Sequence, residues 1–359
     1  MKILQVNFEK GWRGGERQTL YCMRAFREAG HEVSLLARDG HALAQAASTE
    51  GFNVITRKRP FEQGLFLLGH ARDFDIVHVQ TAGSLTWAAL TRRFFKGARL
   101  VFTRRTSLPV KPERQWRTLR KWRKADLFVA ISRMAASEPS RLGISTVLIS
   151  SAIEPLKIDQ THAEQVRQEF GLGGKKVIAT SAALVSVKDP LTLIRAIARL
   201  HAQRQDFVFL HFGAGGDCED DARKLIAEHG LLQVYHLAGF RQKVEDLYSL
   251  FDIFVMSSRE EALGSSVLDA FQLRIPVVST NAGGLAELLD DNRGYLCDIG
   301  DDEAMAEALA RVLDHPEEAR ARADKAWQYV HEQHDIQRMS ERYLKQFEKL
   351  ISRTQGAAV

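Results

Sequence analysis

The segment 252–287 contains, twice in succession, a short apolar run, a loop and a helical pattern, and this repetition is the strongest constraint on the fold. The apolar runs are Asp252–Ser258 and Ile275–Thr280. Their lengths and flanking turn residues predict buried strands. The helices are expected to open at Gly264, with a serine as N-cap, and near Leu285. Strand–helix repeats build parallel sheets, whose ligands lie at the carboxyl ends of the strands.

The loops of this segment carry the groups expected to bind a ligand. Glu261 lies in the loop before the first helix, and Asp269 lies about one turn inside that helix. Both helices are expected to present free N–H groups and a partial positive charge, which suit a phosphate. The two acids would then accept hydrogen bonds from hydroxyl groups of one ligand. The alternative is an acidic loop and a solvated helical aspartate without function.

The rest of the chain repeats the same alternation of strands and helices. This order predicts two doubly wound α/β domains, 1–154 plus 335–359 and 155–334, joined near 155–161. A last helix, 335–352, follows the second domain. The expected strands of both domains are Lys2–Asn7, His31–Leu36, Phe52–Thr56, Asp75–Gln80, Arg99–Thr103, Leu127–Ile131, Ile149–Glu154, Val177–Ala182, Phe207–Phe212 and Tyr235–Leu237.

Composition bounds the class of protein. A chain of 359 residues is long enough for two domains that each bury a core. No run approaches 18 apolar residues, so neither a signal peptide nor a membrane span is expected. Three widely separated cysteines suit neither zinc nor a disulfide framework, and indicate a reducing cytoplasm.

The motif around the two acids resembles the signature of the GT-B glycosyltransferases of family 4. That signature reads E-G-F-G-x-x-x-x-E-A; here it reads Glu261-Ala-Leu-Gly264, with Asp269-Ala270 at the same spacing and Gly283-Gly284-x-x-Glu287 beyond. The resemblance implies two Rossmann-like domains facing a cleft, with the C-terminal helix crossing back to the first. It also implies that Glu261 contacts the transferred sugar and Asp269 the nucleotide ribose. The donor-binding set includes the residues between them, Leu263, Gly264, Ser265 and Ser266.

Three further places resemble the family's diphosphate grip. Gly14 and Gly15 follow the first strand, where a related glycine loop closes over the donor phosphates. Lys188 stands at the family's lysine position, while Ala183 replaces the usual arginine, so Arg241 is expected to supply the second charge. The glycines of 213–216 are followed by acidic residues and are interpreted as a turn.

The chemistry that the resemblance implies is retaining transfer by front-side displacement, in which the leaving phosphate helps to deprotonate the acceptor. Relatives often carry a histidine after the strand that ends at Thr103, and this chain has Arg104 and Arg105 there. Arg105 would stabilise a phosphate or carboxylate without shuttling a proton. His78 and His211 are expected to be structural. No D-x-D pair follows a strand, so neither a metal nor another cofactor is expected.

The segment Arg104–Lys124 has nine basic residues and one acid. Beyond Pro112 it has helical spacing, with Trp116, Leu119 and Trp122 on one side and cations on the other. This pattern is typical of a helix at an anionic membrane surface. The alternative is a solvated helix with both tryptophans in the core. No nucleic-acid-binding motif accompanies the segment, so nucleic acid is not an expected partner.

Together these features predict a cytoplasmic glycosyltransferase that associates peripherally with the inner face of the plasma membrane. It would move a sugar from a nucleotide-diphosphate donor to a glycan or lipid-linked acceptor in cell-surface polysaccharide or lipopolysaccharide synthesis. Two alternatives stay open: a nucleotide-sugar 2-epimerase of the same fold, and a non-catalytic nucleotide-binding module.

Overall fold

The structure is a computed structural model that describes residues 1–12 and 14–355. It forms two compact units, Met1–Glu154 with Gln333–Val359, and Pro155–Glu332. We call them unit 1 and unit 2. The strands are β1 (Lys2–Asn7), β2 (Glu32–Arg38), β3 (Asn53–Arg57), β4 (Ile76–Val79), β5 (Arg99–Arg104), β6 (Leu127–Ala130), β7 (Val147–Leu148), β8 (Lys176–Ser181), β9 (Phe207–Phe212), β10 (Tyr235–Gly239), β11 (Ile253–Met256), β12 (Val277–Thr280) and β13 (Tyr295–Cys297).

Helices follow most of these strands, as the alternating sequence pattern predicts. They are α1 (Gly14–Glu28), α2 (Ala42–Thr49), α3 (Pro60–His70), α4 (Ala82–Thr91), α5 (Gln115–Trp122), α6 (Arg133–Arg141), α7 (Gln160–Glu169), α8 (Pro190–Gln203), α9 (Glu219–Glu228), α10 (Ser265–Gln272), α11 (Gly284–Leu289), α12 (Asp302–Asp314), α13 (Pro316–Gln333) and α14 (Ile336–Gln355). Among the described helices, none is long and apolar enough to cross a membrane.

Unit 1 is built on a seven-stranded parallel sheet of order β3-β2-β1-β4-β5-β6-β7. Its central strands are buried on both faces because helices cover both sides of a parallel sheet. On one face, α1 and α14 pack through Phe26, Tyr343 and Phe347. On the other face, α3, α4 and α5 pack together with Phe128. The strand order reverses between β1 and β4.

Unit 2 is built on a six-stranded parallel sheet of order β10-β9-β8-β11-β12-β13. Its order reverses between β8 and β11, which pair directly through Ile253 and Ile178. The loops that follow these two strands therefore leave the sheet side by side. In doubly wound sheets such a reversal is where ligands bind.

One expected strand is wrong. Residues 149–154 were predicted to form a short strand, but the last strand of the first sheet is β7, two residues earlier. Beyond Ile149 the backbone leaves the sheet, because both the N–H and the carbonyl of Ala152 bond to the side-chain amide of Gln18. Only Ile153 keeps a strand-like pairing, an isolated bridge to Asp335 at the start of the C-terminal helical segment.

Candidate functional site

The ammonium group of Lys188 forms an ion pair with the carboxylate of Glu261 at the reversal point of the second sheet. Lys188 ends a short 3-10 turn after β8, and Glu261 lies in the loop after β11. Both side chains are partly exposed, at 26% and 18%. The structure thus brings together two residues, 73 positions apart, that the sequence assigned to one donor site.

The position of Lys188 is fixed by its neighbours. Asp189 has φ +47 and caps α8 through Thr192, and the next residue is a proline at the first helical position. Arg259 donates from Nε to the Asp189 carboxylate at 2.9 Å. The hydroxyl of Ser257 donates to the Lys188 carbonyl, also at 2.9 Å. Sequence reasoning missed this positioning network, although Asp189-Pro190 is a recognisable helix start.

Glycines allow the loops of β11 and β12 to pack against each other. The amide N–H of Gly284 donates to the carbonyl of Glu261 at 2.8 Å. A Cβ atom at Gly284 would lie 2.4 Å from the Ala262 carbonyl oxygen, and one at Gly264 would lie 2.6 Å from Leu285. Gly264 also has φ +96, which favours glycine. The Glu261 backbone is therefore held in place by close loop packing that only glycine at 264 and 284 allows.

The start of α10 differs from the expected serine cap. Gly264 is the N-cap, without a side-chain hydrogen bond, and Ser265 and Ser266 already lie in the first helical turn. Their amides precede the first intrahelical bonds, which begin at Val267, so the positive end of α10 is open to an anion.

The start of α11 is not open in the same way, contrary to the expectation for both helices. The amide of its first residue is bonded to Glu261, and that of Leu285 to Ala282. The tight loop packing uses these donors inside the protein.

Asp269 and Leu263 are buried, at 3% and 5% exposure. Asp269 already interacts within the protein. Its helix also contacts the buried Tyr248, whose hydroxyl donates to the carbonyl of Ser266 at 3.2 Å. The ribose contact that the resemblance implies for Asp269 stays a prediction.

Arg241 is engaged within unit 2. Its guanidinium pairs with Glu169 at 2.5 Å, donates to the Ala238 carbonyl at 3.0 Å and lies over the Phe170 ring. A role in the diphosphate grip would require it to exchange Glu169 for phosphate, and this role stays a prediction.

The glycines of 213–216 form a close-packed turn, as the sequence interpretation holds. A Cβ at Gly213 would lie 1.9 Å from the carbonyl oxygen of Ala182, and one at Gly216 would lie 2.1 Å from that of Leu184. These glycines let the turn support the loop that leads to Lys188. Asp217 strengthens the contact by accepting from the amide of Ser186 at 2.9 Å.

In unit 1, Arg105 lies at the reversal point of the first sheet. Its guanidinium donates to Gln80 Oε1 at 2.9 and 3.1 Å and to Ser151 Oγ at 3.0 Å. A Cβ at Gly15 would lie 3.8 Å from its side chain, so the predicted glycine segment and Arg105 are adjacent. Gly14 and Gly15 are the first residues of α1, not part of a separate loop.

His78 is fully buried beneath this arrangement and is structural, as expected. It bonds to Gln5 and to Thr103, whose hydroxyl also bonds to Tyr343 on α14. Burial, with the nearby Arg105 cation, lowers the pKa of His78 to about 3. His211 is its counterpart in unit 2, where burial lowers its pKa to about 4.

The basic segment does not keep its predicted division between an aromatic and a cationic side. Trp122 is 4% exposed and packs edge-on against Phe128, whereas Trp116 is 54% exposed. Arg104 is itself buried and lies over the Trp122 ring. The expectation of three apolar residues on one exposed side is therefore wrong for Trp122, because this side chain packs in the core of unit 1.

Among the described residues, no group of three or more His, Cys, Asp or Glu side chains is placed to hold a metal ion. The cysteines are free, and burial raises the pKa of Cys22 to about 11 and that of Cys297 to about 12.

Two family models match consecutive parts of the chain. The model described as Glycosyltransferase Family 4 matches residues 12–155, and the model described as Glycosyl transferases group 1 matches residues 162–328. The border between the two matches falls near the border between the two compact units.

Individual proteins give the same indication. The chain is 32% identical to the lipopolysaccharide core biosynthesis glycosyltransferase LpsE of Rhizobium meliloti, over 38% of this chain and 39% of that protein. It is 28% identical to an alpha-D-kanosaminyltransferase of Streptomyces kanamyceticus, over 45% of this chain and 42% of that protein. These matches span less than half of either relative.

A solved structure, Anabaena Alr3699/HepE in complex with UDP and glucose, superposes with a TM-score of 0.86 at 19% identity, covering 97% of this chain and 100% of that one. At this identity the likeness establishes the fold, two parallel-strand sheets with covering helices of the GT-B type.

Proposed function

The chain belongs to the glycosyltransferases of family 4, and from this premise we propose that it transfers a sugar from a nucleotide-diphosphate donor to a glycan or lipid-linked acceptor. The observation that carries the proposal is the ion pair between Lys188 and Glu261 at the reversal point of the second sheet. A cation beside an open helix start suits a diphosphate, and a partly exposed carboxylate suits sugar hydroxyls.

In the proposed site, the donor diphosphate replaces Glu261 as the partner of Lys188. The amides of Ser265 and Ser266 take up further phosphate charge at the start of α10. Glu261, released from the lysine, accepts hydrogen bonds from hydroxyls of the transferred sugar, and Asp269 takes the ribose. Catalysis then consists of orienting the sugar and stabilising the leaving diphosphate.

We propose retention of configuration at the transferred carbon. The acceptor oxygen attacks from the side on which the diphosphate leaves, and the departing phosphate oxygen takes the acceptor proton. Arg105 stabilises negative charge without exchanging a proton. Lys188 supplies the fixed positive charge for the leaving group, so no metal ion is part of the proposal, and a chelator is expected to leave the rate unchanged.

The proposed setting is cell-surface glycan or lipopolysaccharide synthesis at an anionic membrane surface. The similarity to LpsE supports the type of product. Trp116 is exposed on α5, with the guanidinium groups of Arg117 and Arg120 at 5.2 and 5.9 Å from its ring. On α3, which covers the same face of the sheet, three exposed apolar residues recur at helical spacing: Phe61, Leu65 and Leu68. Exposed apolar groups beside cations suit an anionic lipid surface.

The proposal is tested by incubating the purified protein with UDP-glucose, UDP-N-acetylglucosamine and GDP-mannose, with and without membrane extract. Released nucleoside diphosphate and the recovered sugar are analysed together. Transfer predicts nucleotide release that increases with acceptor and falls about a hundredfold in Glu261→Gln. Glu260→Gln is the matched control, because Glu260 is an exposed neighbour in the same loop. An epimerised sugar, or nucleotide binding without turnover of any donor, would overturn the proposal.

A further inference from the structure

A cavity of about 330 Å³ lies in unit 1 between α4 and α5, above the carboxyl ends of β4 and β5. One wall is apolar and the remainder is polar or cationic. No described residue that lines it is acidic. Its lining is Gln80, Thr81, Ala82, Phe102, Thr103, Arg104, Arg105, Thr106, Val110, Thr118, Lys121 and Trp122.

Three cations line this cavity, and in the described parts of the chain none forms an ion pair with a carboxylate. Lys121 donates to the carbonyl of Ala82 at 3.4 Å and to the hydroxyl of Thr86 at 3.2 Å. Arg105 donates to Gln80 and Ser151. Arg104, although 4% exposed, donates to the backbone carbonyls of residues 106 and 108. All these acceptors are neutral.

The nearest carboxylate does not neutralise the cluster. Glu138 is close enough to Arg104 to interact with its charge. However, both oxygens of Glu138 accept from Arg141 at 2.8 Å, and one also accepts from the amide of Val110. The negative charge of Glu138 is thus largely neutralised by Arg141. Cations held by neutral partners in a half-enclosed space leave a positive potential.

The charge state of Lys121 fits this description. Burial lowers the pKa of its ammonium group below the ordinary value, because no anion compensates for the lost hydration. An anionic ligand would supply that compensation. The positive end of α4, capped by Thr81, lies at the same cavity and adds to the attraction.

We propose that this cavity binds an oxyanion, a phosphate or a carboxylate, carried by the acceptor, with Lys121, Arg104 and Arg105 as its cationic lining. That the ligand is the acceptor rests on the proposed function, whereas the presence of an anion site does not. The apolar wall formed by Phe102, Val110 and Trp122 would lie against the uncharged part of that ligand. Apart from Gly14 and Gly15, the donor-binding groups are assigned to unit 2, and none of the three cations of the cavity is among them.

The test is calorimetric titration of the full chain with inorganic phosphate, glucose 6-phosphate, glucuronate and glucose, and separately with UDP. Three variants are compared with the parent: Lys121→Gln, Lys121→Arg and Lys58→Gln. Glutamine can still donate to Ala82 and Thr86, so the first change removes charge and keeps the hydrogen bonds. Lys58 is an exposed lysine of the same unit and serves as the matched control.

We expect glucose 6-phosphate or glucuronate to bind and glucose not to bind. Lys121→Gln should weaken anion binding about tenfold or more, the loss of a charge-assisted hydrogen bond. Lys121→Arg should restore it, and Lys58→Gln should match the parent. Parental binding should weaken as the pH rises through the lowered lysine pKa, and the arginine variant should lose that dependence.

The two sugars distinguish the sources of the oxyanion: binding of glucose 6-phosphate alone indicates phosphate, and binding of glucuronate alone indicates carboxylate. Equal binding of glucose, or an unchanged anion affinity in Lys121→Gln, would overturn the inference. The UDP titration separates this result from the proposed function. Intact UDP binding with no anion binding rejects only the cavity, whereas anion binding without UDP binding rejects only the donor site.

Discussion

At the scale of single residues, the Lys188–Glu261 pair gives the proposed donor site an internal counter-charge. A partly buried lysine without a partner would be costly, and the carboxylate removes that cost until a ligand arrives. Donor binding is then an exchange of one anion for another at Lys188. The two residues should therefore respond differently to neutralisation.

We predict that Lys188→Ala lowers nucleoside-diphosphate affinity by about 1.5–3 kcal/mol, the range for a charge-assisted hydrogen bond. Glu261→Gln should instead preserve or raise that affinity, because it removes the competing anion, and should lower turnover by about a hundredfold through loss of sugar positioning. UDP titrations and initial rates measure the two effects. An equal loss of UDP affinity in both variants would contradict the exchange.

His78 provides a second prediction at this scale, on pH. Its pKa is about 3 in the folded protein and about 6.5 when unfolded. The unfolded chain therefore binds more protons between these values, so stability is complete above about pH 6.5 and is lost as the pH falls. At pH 4 the loss is about 3 kcal/mol. Urea unfolding of the parent and of His78→Gln from pH 4 to 7 should show a flatter dependence in the variant.

At the scale of elements, the apolar residues of α5 lie in two different environments, the core and the exposed surface. Trp122 faces the core beside Phe128, while Trp116 faces outward between two arginines. The sequence spacing placed both tryptophans on one side, since six residues at about 100° each set them roughly 120° apart, at the two edges of one arc. The helix ends at Trp122, and its last residue turns into the sheet layer.

Substitutions of the two tryptophans should therefore affect different properties, stability for Trp122 and liposome binding for Trp116. Trp122→Ala is expected to lower the free energy of unfolding by about 3–5 kcal/mol, as for other large-to-small core changes. Trp116→Ala should change stability by less than about 0.5 kcal/mol and reduce sedimentation with anionic liposomes. Liposome binding that is equal in the parent and in Trp116→Ala would remove α5 from the proposed membrane surface.

The sequence was a good guide where one signal dominated. The strand Phe207–Phe212 was predicted with its observed bounds, because a short apolar run between turn residues favours a buried strand over other secondary structure. The predicted strand over 149–154 failed, because Gln18, distant in sequence, takes both backbone groups of Ala152. The predicted serine N-cap was wrong. The N-cap residue is Gly264, where a Cβ atom would collide with Leu285 of the neighbouring loop. Local patterns cannot report such contacts.

The same limit applies to the candidate site. The spacing of Glu261 and Lys188 within known motifs located both residues. The partners that hold Lys188 in place, Asp189 and Arg259, became evident only with the fold, since they join two loops across the sheet reversal. The sequence marked the basic segment that supplies the cations of the cavity beside Lys121, but not the cavity itself, because the rest of its lining comes from β5 and from the end of β4 and the start of α4.

At the scale of the whole molecule, unit 1 is completed by a helix that follows all of unit 2 in the chain. Tyr343 bonds to Thr103 at 2.9 Å and packs against Phe26 and His78. Met339 and Phe347 lie in the same buried layer. This layer makes the first sheet dependent on the C-terminal residues, whereas unit 2 contains its own core.

We predict that Tyr343→Ala lowers the stability of unit 1 by about 3–5 kcal/mol, through a core cavity and the loss of one of the two hydrogen bonds of the Thr103 hydroxyl. Unit 2 should be unaffected. Calorimetry with and without UDP would assign the two transitions, since a ligand of unit 2 raises only the transition of that unit. Glu341→Ala, an exposed change on the same helix, is the control. A shift of both transitions together would contradict separate cores.

The late position of α14 also sets an order for biosynthesis. Residues 1–154 leave the ribosome before unit 2, yet the layer that covers Phe26 and His78 is made only after unit 2. Residues 155–332 can complete their core while the earlier segment still exposes apolar surface. Between the completion of unit 2 and the synthesis of α14, the nascent protein would therefore carry a finished unit 2 and an unfinished unit 1. Its need for chaperones should centre on the face of the first sheet that α14 later covers.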